Sequence, residues 1–214
     1  MFTFSCTKGN NDDINPKRIT DIDGNIYHTV TIGKQLWMLE NLKTTRLNDG
    51  TPIPNITNGT AWGALTIPGF CTNQNRTNAD TINLYGRLYN WYAVNTGKLC
   101  PIGWHVPTNA EWDALINFVG GTRPSGIKLK EIGTTHWSKP NASVNDSSGF
   151  TGLPAGYRNE NGEFEDYGDD GFWWSSNERL SYDAWGENLC YYVTDILKVN
   201  YKKNNGFSIR CLKD

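Results

Sequence analysis

The sequence predicts an α+β fold in which two helices pack against small antiparallel sheets joined by long irregular loops. Nine Trp, ten Tyr and 22 Gly among 214 residues are typical of a loop-rich, aromatic-rich β or α+β protein. Apolar residues make up 37% of the chain, below the usual globular range, so large rings must supply much of the core. Helical patterns occur at residues 81–94 and 108–119, and the remaining apolar runs are short.

Composition also limits the partners. The net charge is −2 and no run of basic residues occurs, which argues against nucleic acid and anionic membrane surfaces. No segment approaches the roughly 20 apolar residues that a membrane-spanning helix needs. We therefore expect one monomeric domain, residues 17–214, behind a polar segment, residues 1–16.

The polar segment contains Cys6, which follows Met-Phe-Thr-Phe-Ser. A small residue before a cysteine resembles the end of a bacterial lipoprotein signal, although the basic region and the long apolar region of such a signal are missing. The acidic stretch ending at Asp12-Asp13 resembles the export tether of Bacteroidetes surface lipoproteins. This interpretation predicts lipidation of Cys6 and a location at the cell surface, on the outer membrane or in the periplasm. The alternative is an ordinary polar terminus.

The first elements are predicted from turn signals. Asp23-Gly24 separates two apolar runs and predicts a β-hairpin. Period-2 alternation over 25–32 predicts one strand face that carries Ile26, His28, Val30 and Ile32. A third run, residues 35–42, follows Gly33-Lys34, and we expect Trp37 and Leu39 in the core.

The next segment, residues 43–80, is rich in Asn, Thr, Gly and Pro and has no clear period. An irregular segment of this length is usually a binding or covering loop. Residues 81–94 are then predicted to form a helix with an apolar stripe through Leu84 and Leu88, ended by Gly97.

The second helix has the clearest local signals. Thr108 and Glu111 have the spacing of a capping box, and Gly120-Gly121 ends the apolar pattern of 108–119. The C-terminal third is predicted to contain an acidic hairpin tip at 159–171 and strands at 172–176, 184–193 and 207–212.

Four further cysteines, Cys71, Cys100, Cys190 and Cys211, allow three pairings. We expect Cys100–Cys211, which would tie the central strand to the last one. Cys71–Cys190 follows only by elimination, and either residue of that second pair would otherwise be a free thiol.

Five blocks in order resemble the Fibrobacter succinogenes major paralogous domain. They are residues 20–42, 85–91, 100–112, 172–176 and 207–211, for example Cys-Pro-Ile-Gly-Trp-His-Val-Pro-Thr in the third block. The resemblance implies a C-type-lectin-like fold and a surface or secreted location in Bacteroidetes-like bacteria. It implies no particular reaction.

The formylglycine-generating enzymes share a related fold, and residues 107–112 and 206–210 match their Pro-Thr-x-x-Glu-Trp and Gly-Phe-x-x-Arg patterns. Their chemistry needs two reactive cysteines in one groove, and this sequence has no closely spaced pair. Fold kinship alone therefore does not predict that activity.

An acidic cluster is the candidate metal site. It comprises Glu163, Glu165, Asp166, Asp169 and Asp170. Carboxylates in a Gly-containing loop suit Ca²⁺, which takes six to eight oxygen ligands, but a solvated acidic turn is the simpler interpretation. The three histidines show no zinc-ligand spacing.

Aromatic residues are the candidate ligand contacts: Tyr157, Trp173, Trp174 and Trp185. Consecutive strand residues point to opposite faces, so one of Trp173 and Trp174 is a candidate sugar-stacking platform if one sheet face is open. The alternative is that both faces are buried.

These observations favour a surface-exposed, non-enzymatic binding or adhesion module for a glycan or a protein partner, with no certain cofactor and Ca²⁺ as a candidate. The alternatives are an enzyme, either a glycan hydrolase or a distant oxidase of the formylglycine-generating type, and a structural subunit of a surface appendage. A hydrolase would need two convergent carboxylates, and the sequence gives no distance between any pair.

Overall fold

The structure, a computed structural model, describes residues 18–141 and 143–214. The predicted polar tether and the predicted lipidation at Cys6 lie outside these residues. In the part that is described, no helix is long and apolar enough to span a bilayer.

The described residues contain short strands and short helices. The strands are β1 (Ile19–Thr20), β2 (Ile26–Tyr27), β3 (Thr29–Ile32), β4 (Gln35–Met38), β5 (Phe70–Cys71), β6 (Leu88–Asn90), β7 (Trp104–His105), β8 (Tyr157–Arg158), β9 (Phe164–Glu165), β10 (Asp170–Leu180), β11 (Asp183–Cys190), β12 (Ile196–Lys202), β13 (Gly206–Phe207) and β14 (Leu212–Lys213). The helices are α1 (Gly59–Gly63), α2 (Ala79–Tyr85), α3 (Trp91–Val94), α4 (Asn109–Phe118) and α5 (Thr122–Leu129). The predicted mixture of helices with small antiparallel sheets is confirmed.

Within residues 18–141 and 143–214, the strands form four antiparallel sheets. Their orders are β1-β2, β10-β11-β12, β5-β6-β13-β8-β9 and β3-β4-β14-β7. In the last sheet, Leu212 near the C-terminus lies opposite both Trp37 and His105. Early and late parts of the chain are thereby joined in one sheet.

The first hairpin forms where Asp23-Gly24 predicts it. Gly24 has φ +83°, and the Asp21 carboxylate accepts hydrogen bonds from the Asp23 and Asn25 N–H groups. The single alternating strand predicted beyond it is wrong. That run divides into β2 and β3, with Ile26 49% exposed and Tyr27 fully buried.

The capping box at α4 is confirmed. The Glu111 N–H donates to Thr108 Oγ1 (3.3 Å), and the Thr108 N–H donates to Glu111 Oε2 (2.8 Å). These bonds satisfy two N–H groups that the start of a helix would otherwise leave unpaired. The helix thus begins at a position that its own sequence specifies.

The single helix predicted over 81–94 is wrong. Gly86 ends α2 with φ +73° and ψ −152°, a conformation that is almost confined to glycine. The chain then forms β6, which pairs with β5 and β13, before α3 begins. The hydrogen bond from the Arg87 N–H to the Leu42 carbonyl (3.0 Å) fixes this break.

We expect Gly86→Ala to lower the free energy of unfolding by about 2–4 kcal/mol. A Cβ at this position would lie 2.7 Å from both Asn41 Cβ and the Leu42 carbonyl oxygen. Gly97→Ala is the matched control, because Gly97 also has a positive φ (+67°) but no atom within 4 Å of an added Cβ. Denaturant unfolding measures both changes, and equal losses would contradict the role of the close contact.

Residues 43–80 form a partly packed region rather than an open loop. They contain α1 and β5, and Trp62 and Phe70 are buried. The buried guanidinium of Arg158 lies 4.8 Å from the ring centroids of Trp62 and Phe164 and donates to the carbonyls of Ile56 and Thr57. The packing of this region therefore depends on Arg158, about 100 positions further along the chain.

The predicted Cys100–Cys211 disulfide is confirmed, and it joins two cysteines that are 111 positions apart in the sequence. Cys71 and Cys190 are buried and form no disulfide with any described residue, so the pairing of these two by elimination is wrong. Burial raises the pKa of the Cys71 thiol to about 12 and that of Cys190 to about 11. Thiols of this kind are inert compared with reactive cysteines.

Candidate functional site

The predicted sugar platform at Trp173 or Trp174 is wrong, because both side chains are fully buried. They point to opposite faces of β10 and enter two different parts of the core. The Trp173 Nε1–H donates to Asn41 Oδ1 (2.9 Å), and the Trp174 Nε1–H donates to the Tyr89 carbonyl (2.8 Å). Both faces of the strand are covered, which is the alternative that the sequence left open.

The other two aromatic candidates differ in exposure. Tyr157 is 7% exposed, and its hydroxyl donates to Glu165. Trp185 is half-buried, with the Arg179 guanidinium 5.5 Å from its ring centroid. Trp185 is thus the member of the predicted set that retains a partly exposed ring.

The acidic tip does not gather its carboxylates around one point. Glu165 accepts hydrogen bonds from Tyr157 and Asn159, and Asp170 accepts one from Asn188 (3.0 Å). Burial, together with neighbouring carboxylates, raises the pKa of Asp166. Throughout residues 18–141 and 143–214, no three His, Cys, Asp or Glu side chains are placed to hold a metal ion.

His105 is held between two carboxylates. Its Nδ1 lies 2.6 Å from Asp214 Oδ1, and its Nε2 lies 2.9 Å from Glu111 Oε1. Burial lowers the pKa of His105, but hydrogen bonds to Asp214 and Glu111 outweigh burial and raise it. Both ring nitrogens are engaged, so this histidine links β7, α4 and the C-terminus and has no nitrogen left to activate a nucleophile.

A cavity of about 440 Å³ lies between α4 and the β11–β12 strand pair; we call it the α4 cavity. Its lining residues are Asp113, Ile116, Asn117, Thr122, Glu187, Ile196, Leu197 and Lys198. The volume falls within the roughly 300–1,000 Å³ of small-molecule sites. Apolar side chains from α4 and β12 meet polar ones in this cavity, as is typical of such sites.

Glu187 is the unusual member of this lining. Its side chain is 0% exposed, and neither carboxylate oxygen has a hydrogen-bond partner among the described residues. Burial raises the pKa of Glu187 to about 8, with Lys198 acting against the shift and Asp113 adding to it. Buried polar groups are nearly always hydrogen-bonded, so this carboxyl group marks the cavity as a candidate site.

Lys198 does not neutralise Glu187, although the two residues lie opposite each other in the β11–β12 register. Its ammonium instead contacts Asp113 Oδ1 on α4 at 2.9 Å. Both side chains of this ion pair are partly exposed, so the pair stabilises the fold little. The cavity therefore contains two acids and one base.

Glu187 is not among the site residues that the sequence predicts. The residue lies within the predicted strand 184–193, where Trp185, Glu187 and Leu189 alternate onto one face. A single carboxylate between two apolar residues on a strand face is the signal that would have identified it. Asp113 and Lys198 gave no such signal, because their pairing depends on how α4 packs against the sheet.

Comparison with known proteins supports the resemblance found in the sequence. The family described as the Fibrobacter succinogenes major domain matches residues 30–213 of this chain. No curated protein and no solved structure matches the chain.

Proposed function

The chain belongs to the Fibrobacter succinogenes major domain family, and we propose that it is a non-enzymatic binding module whose α4 cavity holds part of a glycan. The observation that carries the proposal is the Glu187 carboxyl group, which has no hydrogen-bond partner in residues 18–141 and 143–214 and lies at a cavity of ligand size. Carboxylate, amide and hydroxyl groups in its lining are the groups that bind sugar hydroxyls. A protein partner is the alternative occupant.

The proposal includes a C-type-lectin-like fold and a surface location. The pairing of β14 with β4 and the long region 43–80 support the fold assignment. Lipidation at Cys6 would hold the domain at the outer membrane. Fatty-acid labelling of the expressed protein that disappears in Cys6→Ser checks the anchor, and labelling that persists would contradict it.

A glycan array probed with the full 214-residue chain, with and without calcium, tests the binding function. We expect saturable binding to one sugar class in both buffers, weakened at least tenfold by Glu187→Gln. Glu163→Gln is the matched control, because it makes the same change at an exposed residue of the acidic tip.

Two results would redirect the assignment. Binding that needs calcium and is lost in Glu163→Gln would move the contact to the acidic tip. Absence of binding in both buffers would remove the glycan from the proposal and favour a protein partner.

A further inference from the structure

We propose that the α4 cavity recognises a protonated primary amine carried on a small hydroxylated body, that is, an amino sugar. This inference rests on the proposed function, because it names the ligand class of the same cavity. It follows from the state of Glu187, the charges of the lining and the groups at the cavity rim.

Glu187 needs a partner that the described residues do not supply. Both of its oxygens are buried and unpaired, and burying a carboxyl group without hydrogen bonds is unfavourable. An ammonium group supplies three N–H donors and a positive charge. Such a ligand would satisfy the oxygens and stabilise the ionised form of the carboxyl group.

Charge balance selects a cation over an anion. Asp113 on α4 and Lys198 on β12 are the charged groups that act on Glu187, and they pair with each other. Trp173, the β10 residue opposite Glu187, is uncharged. A ligand ammonium would stabilise ionised Glu187 and bring the cavity to two anionic and two cationic groups, whereas a ligand carboxylate or phosphate would be repelled by Asp113 and would require Glu187 to stay protonated.

Because Glu187 is 0% exposed, a ligand reaches it only when a neighbouring side chain moves, and we infer that this side chain is Lys198. Lys198 faces Glu187 across the strand pair. The Lys198 side chain is 35% exposed and is held by a partly exposed ion pair. An entering ammonium group can therefore displace the Lys198 ammonium at little cost.

The groups at the cavity rim favour a ligand with a hydroxylated ring over one with an aliphatic chain. Asn117 and Thr122 are exposed at the cavity and present an amide and a hydroxyl group. Ile116, Ile196 and Leu197 supply apolar surface for the C–H face of a ring. A lysine side chain of a protein ligand would contact the apolar surface, but it would leave the amide and the hydroxyl group without hydrogen bonds.

Calorimetric titration of the full chain with D-glucosamine, D-glucose and n-propylamine tests the inference at pH 7. We expect glucosamine to bind at least tenfold more tightly than either of the others. Between pH 5 and pH 7 its affinity should rise about tenfold per unit, because ionisation of Glu187 accompanies binding. If glucose binds as tightly as glucosamine, the assignment of the ammonium group is wrong. If propylamine binds as tightly as glucosamine, the assignment of the sugar ring is wrong.

Two variants separate recognition from a structural role. Glu187→Gln should remove both the preference for glucosamine and the pH dependence, whereas Lys198→Gln should raise the affinity several-fold by removing a competing cation. Glu163→Gln should leave all three titrations unchanged. A glucosamine preference that survives in Glu187→Gln would overturn the inference.

The two proposals can fail separately. Glycan-array binding of neutral sugars that depends on Glu187 would keep the binding module and reject the amine. Array binding that is insensitive to Glu187→Gln would reject the α4 cavity as the glycan site in both proposals.

Discussion

Replacing Glu187 with glutamine is expected to raise the free energy of unfolding by about 3–5 kcal/mol at pH 8 and to leave it nearly unchanged at pH 4. Folding raises the pKa of this carboxyl group from 4.5 to about 8, mainly through burial. The folded chain therefore binds more protons than the unfolded chain between these values. The stability of the native chain should fall as the pH rises from 4.5 to 8, and glutamine removes that loss because it does not ionise.

Urea unfolding at several pH values measures this effect. The difference between the two proteins should grow steadily from pH 4.5 and level off above pH 8. Glu163→Gln provides the control, because Glu163 is exposed and should change stability by less than about 0.5 kcal/mol. A constant difference between wild type and Glu187→Gln over the whole range would show that Glu187 has a partner in solution.

This result would bear on function as well as stability. A gain in stability with glutamine would show that the native carboxyl group lowers the stability of the fold. Stability lost at one site is commonly linked to function at that site. An amine that binds there should restore stability to the native chain and not to the Glu187→Gln variant.

The second large effect concerns the disulfide. Removal of Cys100–Cys211 by the double substitution Cys100→Ala, Cys211→Ala should lower the free energy of unfolding by about 2–5 kcal/mol. The bond spans 111 residues of sequence, so it restricts the unfolded chain strongly. It also joins the segment before β7 to the segment before β14, two neighbours in one sheet.

Unfolding in oxidising and reducing buffer measures this contribution. The native chain should lose stability on reduction, and the Cys100→Ala, Cys211→Ala variant should be insensitive to the reductant. The matched control, Cys71→Ala, Cys190→Ala, should keep the full sensitivity, because these two cysteines are free. The observed connectivity would be refuted if the Cys71→Ala, Cys190→Ala variant lost its sensitivity to the reductant and the Cys100→Ala, Cys211→Ala variant kept it.

Features encoded by neighbouring residues could be predicted from the sequence. The capping box of α4 and the Asp23-Gly24 hairpin each need only a few consecutive side chains and one backbone conformation. Family membership was equally accessible, because five ordered blocks of residues carry it. The expected positions of two strands favour the Cys100–Cys211 bond among the three possible pairings.

Features that depend on distant contacts could not be predicted in this way. The pattern of 81–94 fits a helix, but the contact of Gly86 with Asn41 and Leu42 interrupts it. The burial of both Trp173 and Trp174 depends on packing on the two faces of β10, a property that the strand's own residues do not encode.

At the candidate site, Glu187 has one property that the sequence predicts and another that depends on distant contacts. Its position on a strand face follows from period-2 alternation within residues 184–193. Its isolation does not, since Lys198 lies opposite it and would be assigned as its partner from the register alone. Packing of α4 against the sheet brings Asp113 to Lys198 and leaves Glu187 without a partner in the part of the chain that the structure describes. Hydrogen bonds and ion pairs are short-range, so the partner of a charged side chain is fixed only when distant elements meet.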